Sequence, residues 1–166
     1  NGLLQPDGSF KRVELGADEH DAERRSRSDF LSHARALCSE RQPLESEQCW
    51  QEFLLYTTDG EGTGIWSETR CRMAPRTCEL LQHRDLIGKP RGLSHAGVPG
   101  KAAFVRLRAG SSILAHTGPH HMRLTCHLGL RIPLGASIDV GGELGNWVEG
   151  RATVLDDSYM HSGAPI

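Results

Sequence analysis

The chain has 166 residues, 37% of them hydrophobic and 24% charged, with 19 lysines and arginines set against 21 aspartates and glutamates. A formal charge of −2 without a basic block excludes an electrostatic nucleic-acid binder, and the apolar runs fall far short of the roughly 20 residues that a membrane-spanning helix needs. What remains is a globular chain of about one domain, loop-rich by its 19 glycines and 8 prolines and long enough to bury a core.

Residues 1–45 read as a polar, partly helical lead-in. Pro6-Asp7-Gly8 is a turn signal, and residues 18–37 place Phe30, Leu31, Ala34 and Leu37 at spacings that suit a helix with one apolar stripe. Residues 46–166 read as one further domain. Within it, WQEFLLYT (50–57) is aromatic and apolar and runs into Thr58-Asp59-Gly60, the pattern of a strand followed by a turn. Residues 60–64 are a flexible connection. Residues 71–84 read as a second helix, with Pro75 tolerated near its first turn because an N–H there has no helical partner. Residues 88–100 are loop. From Lys101 the pattern changes: AAFVRLRAG, SSILAH, MRLTCHLGLRIP, ASIDVGG and RATVLDD are short, β-rich and punctuated by Gly or Pro, which predicts an all-β barrel or sandwich with helices packed outside it. The chain opens on Asn1 with no signal pattern and ends five residues after His161, so it reads as a piece of a longer product, incomplete at its C-terminal end.

The cysteines number five, and Cys71 and Cys78, with six residues between them, are the one close pair. That spacing fits neither a CxxC zinc knuckle nor a thioredoxin-type site; a local disulfide in an oxidising compartment and buried free thiols both stay open. Cys126 reads as a core thiol.

Four of the nine histidines fall in HTGPHHMRLTCHLGL, residues 116–130. If residues 123–130 are a strand, the pleat sends Arg123, Thr125, His127 and Gly129 to one face and Leu124, Cys126, Leu128 and Leu130 to the other. The apolar face is expected to wall the core. The polar face would line a cavity if the sheet curls, a natural ligand site in a small barrel. His116 precedes this strand and His161 follows another, Val154-Leu-Asp-Asp157. A lone histidine is usually solvated or hydrogen-bonded, but two imidazoles from neighbouring strands can converge on one ion, and iron(II) accepts imidazole. The usual carboxylate two residues after the first histidine is absent, since that place is Gly118. His120 and His121, adjacent on a turn, read as solvated, and Asp156 and Asp157 suit a turn as well as a metal.

HTGPHHMRLTCHLGLRIP resembles the signature of the aspartyl/asparaginyl β-hydroxylase family, and WVEGRATVLDDSYMH resembles its second metal segment. Upstream, Trp50, Phe53 and Leu55, and then CRMAPRTCELL (71–81), are similar to that family in the same order, so the resemblance spans residues 50–161 in four blocks. It implies a mainly β fold, the double-stranded β-helix or jelly-roll, cupin-like barrel of iron(II)- and 2-oxoglutarate-dependent oxygenases, with flanking N-terminal helices. It also implies hydroxylation, with O2, of an aspartate or asparagine β-carbon in a protein substrate. The family binds iron with two histidines and a glycine in place of the acid, so Gly118 becomes a point of likeness. By this resemblance His116 and His161 are the metal ligands, His127 and Thr125 contact the cosubstrate, Arg123 offers a cation to a substrate or cosubstrate carboxylate, and Cys71 with Cys78 forms a disulfide. The family includes membrane-anchored enzymes of the endoplasmic reticulum lumen as well as soluble ones.

Three departures bear on the transfer. Thr125 stands where the family commonly carries a second arginine, Val105 stands where a serine commonly helps hold the far carboxylate of 2-oxoglutarate, and the arginine that clamps that carboxylate is expected beyond Ile166. They favour a second reading, a catalytically impaired β-barrel module that still binds a metal. A third reading is a zinc hydrolase, since two histidines and water also hold zinc.

Overall fold

The computed structural model describes residues 3, 5, 38–39, 50–58, 64–83, 100–118, 121 and 123–164. The turn at 6–8, the helix expected within 18–37 and all but the last residue of the 88–100 loop lie outside the described residues. The described residues are mainly strand: β1 (Cys38–Ser39), β2 (Trp50–Thr58), β3 (Gly64–Trp66), β4 (Lys101–Leu107), β5 (Ser112–His116), β6 (Thr125–Leu128), β7 (Ser137–Val140), β8 (Glu143–Asn146), β9 (Ala152–Leu155) and β10 (His161–Ala164). Two short helices, α1 (Glu68–Met73) and α2 (Pro75–His83), follow β3. The chain divides into two compact units, one of Asn1–Ser32 with Gln51–Arg106 and one of His33–Trp50 with Leu107–Ile166.

In the first unit β2 is the central strand between β3 and β4. Its residues from Phe53 to Thr58 are all buried, as an apolar run without alternation requires of a strand covered on both faces. Phe53, Leu55 and Tyr56 join Ala74, Cys78 and Ala102 in the core. The helical segment starts earlier than its sequence indicates and is broken in two. Ser67 caps α1 by accepting the Arg70 N–H at 3.3 Å, and Pro75, which lacks an N–H, ends that run and serves as the first residue of α2. A disulfide between Cys71 and Cys78 spans the break, with the Cα atoms 5.7 Å apart. Buried Arg70 ties α1 to β2: its Nη1 donates to the Leu54 carbonyl at 3.3 Å and its guanidinium stands 5.5 Å over the Phe53 ring. The connection expected at residues 60–64 ends in a strand at Gly64, where a Cβ would collide with the Tyr56 ring.

The second unit holds a five-stranded sheet in the order β1-β5-β10-β7-β8, antiparallel at every pairing, and a two-stranded antiparallel sheet of β6 and β9. Among the described residues these sheets do not close into a barrel. β7 and β8 form a hairpin around Gly141 and Gly142, whose φ of 62° and 90° are those a two-residue I′ turn demands. The Gly142 N–H closes the turn on Asp139 Oδ1 at 3.0 Å. The alternation expected for residues 123–130 holds, but its burial is reversed. Leu124, Leu128 and Leu130 are 68%, 58% and 61% exposed and Cys126 is an exposed thiol rather than a core one, whereas Arg123, Thr125 and His127 are half-buried. The reason is that β6 pairs with β9 alone, and among the described residues nothing covers the outer face of that pair.

This contrast makes a stability prediction. Phe53→Ala is expected to lower the unfolding free energy by about 3–5 kcal/mol and Leu128→Ala to leave it within about 0.5 kcal/mol, both read from urea midpoints. A large loss at Leu128 would contradict the exposure described here.

Candidate metal centre

The antiparallel pairing of β5 with β10 sets His161 directly opposite His116. Cross-strand partners project to the same face of a sheet, and the two imidazole centroids lie 4.1 Å apart with the rings tilted by 53°. Each ring is held by the backbone two residues before it: His116 Nδ1 is 2.9 Å from the Leu114 carbonyl and His161 Nδ1 is 2.9 Å from the Tyr159 carbonyl. A carbonyl oxygen only accepts, so in both rings Nδ1 carries the proton and the neutral imidazole has its lone pair on Nε2. Outer bonds of this type are what orient metal-ligating histidines. Among the described residues no group of three or more His, Cys, Asp or Glu side chains is arranged to hold a metal; the pair presents two imidazole nitrogens.

Gly118 cannot be exchanged for an acid without displacing its neighbour. A Cβ there would lie 2.6 Å from Asp157 Cγ, 2.7 Å from its Oδ2 and 2.9 Å from its carbonyl oxygen, and the Gly118 N–H already donates to that carbonyl. The volume that a carboxylate at 118 would need is therefore occupied by the carboxylate of Asp157. Asp157 is 7% exposed and its Oδ2 accepts from Arg123 Nη2 at 3.1 Å and Thr125 Oγ1 at 3.0 Å. Its Oδ1 is buried without a hydrogen-bond partner among the described residues. Asp156, the neighbouring acid, shapes the turn instead: its carboxylate accepts the Ser158 N–H at 3.0 Å, and hydrogen bonds from the Ser158 side chain and from that N–H hold its carboxyl below the usual carboxylate range.

His127 sits on β6 opposite Thr153, and its Nδ1 accepts the indole N–H of Trp147 at 3.2 Å. Burial, with the charge of His161 adding to it and that of Asp157 opposing it, pushes the imidazole below its ordinary value, so it is held neutral. The structure thus gathers His116, His161, His127, Arg123 and Thr125 in one unit. His121 is exposed and His120 lies outside the described residues. Arg123 and Thr125 both reach Asp157, a partner that their shared face did not indicate. Trp147 has no signal of its own in the sequence, and Asp157, which suits a turn as well as a metal there, is instead a buried partner of Arg123 and Thr125; the available signal was the alternation along 154–157, which puts Leu155 and Asp157 on the same side of the chain.

The family profile described as Aspartyl/Asparaginyl beta-hydroxylase matches residues 17–164. The chain belongs to that family. It is 38% identical over 107 residues to a Rattus norvegicus "Aspartate beta-hydroxylase domain-containing protein 2", covering 64% of this chain and 29% of that protein. A Xenopus tropicalis protein of the same name is 33% identical over 156 residues, covering 88% of this chain and 40% of the relative. The Mus musculus "Aspartyl/asparaginyl beta-hydroxylase" is 32% identical over 124 residues, covering 74% of this chain and 15% of the relative. The chain therefore spans well under half the length of these β-hydroxylase relatives.

Two outcomes follow from this geometry. Gly118→Asp is expected to destabilise the protein by about 1–3 kcal/mol, the range for overpacking. Pairing it with Asp157→Ala should recover part of that loss, a non-additivity read from urea denaturation of the single and double variants. The second concerns pH. A histidine whose folded value is depressed binds fewer protons than the unfolded chain as pH drops through its ordinary value near 6.5, so it contributes a loss of stability on the acid side. His127→Gln should flatten the decline in the urea midpoint below that pH; an unchanged slope would contradict the burial of His127.

Proposed function

We propose that this chain is the oxygenase domain of an iron(II)- and 2-oxoglutarate-dependent dioxygenase that hydroxylates the β-carbon of aspartyl or asparaginyl residues in a protein substrate. Its strands belong to a double-stranded β-helix in this reading. The observation that carries it is the cross-strand histidine pair, with both Nδ1–H groups engaged by backbone carbonyls and both lone pairs on Nε2. Neutral imidazole donors suit iron(II), so the residues present fit the metal. When bound, iron(II) with 2-oxoglutarate and O2 supplies an oxidation that releases succinate and CO2 and places one oxygen atom in the substrate C–H bond.

The chain's own part is to bind and orient. His116 and His161 present two nitrogens to one side. Gly118 keeps a third protein ligand out, because any side chain there meets Asp157. Arg123 and Thr125 fix the Asp157 carboxylate through Oδ2. His127, protonated on Nε2, is a donor for a cosubstrate carboxylate, and Arg123 adds positive charge beside it. The name of the mouse relative supports an aspartyl or asparaginyl substrate. The Cys71–Cys78 disulfide supports an oxidising compartment such as the endoplasmic reticulum lumen for the full-length protein.

A specific observation favours a second reading, a module that binds metal without turnover. Thr125, at a position where the family commonly has arginine, donates its hydroxyl to Asp157, and Arg123 makes the same choice, so both polar side chains expected at a carboxylate ligand already serve an internal one. The test is succinate formation by the full-length protein supplied with iron(II), ascorbate, 2-oxoglutarate and aspartate- or asparagine-bearing peptides. Succinate coupled to a 16 Da gain on the peptide is expected; metal binding without succinate would establish the module instead. His116→Ala and His161→Ala should each weaken iron(II) binding by more than the roughly 10–100-fold seen when only an outer hydrogen bond is removed. Unchanged affinity in both variants would remove the metal assignment.

A further inference from the structure

Trp147 follows β8 and lies outside the strands that carry His116 and His161, yet it reaches β10 and the ring of His127. Its backbone N–H donates to the Ala136 carbonyl at 3.2 Å. Its indole stands over Gly163 on β10, where an added Cβ would come within 3.2 Å of Trp147 Cη2 and 3.1 Å of Ile113 Cδ1. At the other edge of the indole, Nε1–H donates to His127 Nδ1 at 3.2 Å, with the ring centroids 5.9 Å apart.

An indole N–H can only donate, so the nitrogen that receives it must present a lone pair. A neutral His127 then carries its proton on Nε2. This is the opposite tautomer to that of His116 and His161, whose Nδ1 atoms donate to carbonyls. Three imidazoles in one unit are thus sorted into two chemical kinds by what meets Nδ1. A backbone acceptor makes an Nε2 lone pair for a metal, and an indole donor makes an Nε2–H for an anion.

We propose that Trp147 is a positioning residue that locks His127 as an Nε2–H donor to a carboxylate oxygen of the 2-oxo acid and keeps it from becoming a third metal ligand. With Nδ1 engaged by the indole and Nε2 protonated, His127 has no nitrogen to give to a cation. Without the indole either tautomer is open, and a ring with its lone pair on Nε2 would repel the carboxylate it should bind. The carboxylate part rests on the function proposed above; the tautomer part stands on the hydrogen bond alone.

The experiment therefore begins without metal or cosubstrate. Long-range proton–nitrogen spectra of the histidine-labelled protein should show His127 as a single species with a pyridine-type Nδ1 and a pyrrole-type Nε2, and His116 and His161 with the reverse. In Trp147→Phe the two nitrogen shifts of His127 should move towards each other. The loaded enzyme is then assayed in four forms: wild type, Trp147→Phe, His127→Gln and the double variant. Trp147→Phe should raise KM for 2-oxoglutarate about tenfold, the scale of one hydrogen bond to a charged group, with iron(II) affinity unchanged. In the His127→Gln background the carboxamide nitrogen donates whatever its neighbour does, so Trp147→Phe should add nothing. A wild-type His127 protonated on Nδ1, or an equal loss from Trp147→Phe in both backgrounds, would overturn the proposal, the second by reducing Trp147 to a packing role. A locked tautomer in a protein that forms no succinate would support the lock and reject the oxygenase reading, so the two failures are told apart.

Discussion

The site depends on one register: His161 facing His116 across two antiparallel strands. Side chains alternate with a period of two, so a slip of one residue would turn His161 to the opposite face and separate the imidazoles. The register is set from the far side of β10. Four consecutive pairs, His161 with Val140 through Ala164 with Ser137, zip β10 onto β7, and β7 is in turn fixed by its Gly-Gly hairpin to β8. The Gly141 N–H also donates to the Met160 carbonyl at 2.8 Å, next to His161 itself. Against β5 the ladder shifts by one between His161 and Gly163, an irregularity that the β7 pairing tolerates because it holds β10 independently.

The second constraint is the burial of an acid. A carboxylate withdrawn from water needs partners that return much of its lost hydration, and Asp157 has a guanidinium and a hydroxyl on one oxygen. Removing Arg123 would leave that charge buried and uncompensated, the situation in which breaking an ion pair is most damaging. Gly118, Arg123, Thr125 and Asp157 are therefore one interlocked group. The glycine makes room for the acid, and the polar face of β6 holds it in place.

Much of this was legible in the chain. The apolar run at Trp50 to Thr57, the β-rich pattern after Lys101 and the alternation along Arg123 to Leu130 are each a direct readout of side-chain period, and each recurs in the structure. β8 and β10, ELGN and HSGA, contain too few apolar residues to declare themselves and are strands only because neighbours supply their hydrogen bonds. The helix around Pro75 was legible in type and not in length, since the break there follows from proline geometry and the early start from Ser67. Which face of β6 meets solvent could not be read from alternation, because periodicity says that two faces differ and only the surrounding layers decide which is covered. The pairing of Arg123 with Asp157, 34 positions apart, has no local signature at all.

The three site histidines show the same division between local and distant causes. His116 and His161 each bond the carbonyl two residues back, so their tautomer is decided by the adjoining backbone and only their convergence requires the sheet. His127 takes its partner from Trp147, 20 positions away and held against β10. A change that loosens the sheet would separate the two imidazoles yet leave each of them with its lone pair on Nε2, whereas the Nδ1 partner of His127 is kept only while β6 and the Trp147 segment stay in contact. The orientation of the histidine pair and that of His127 are thus supported by interactions of different range, and the second is the more exposed to disturbance from outside the site.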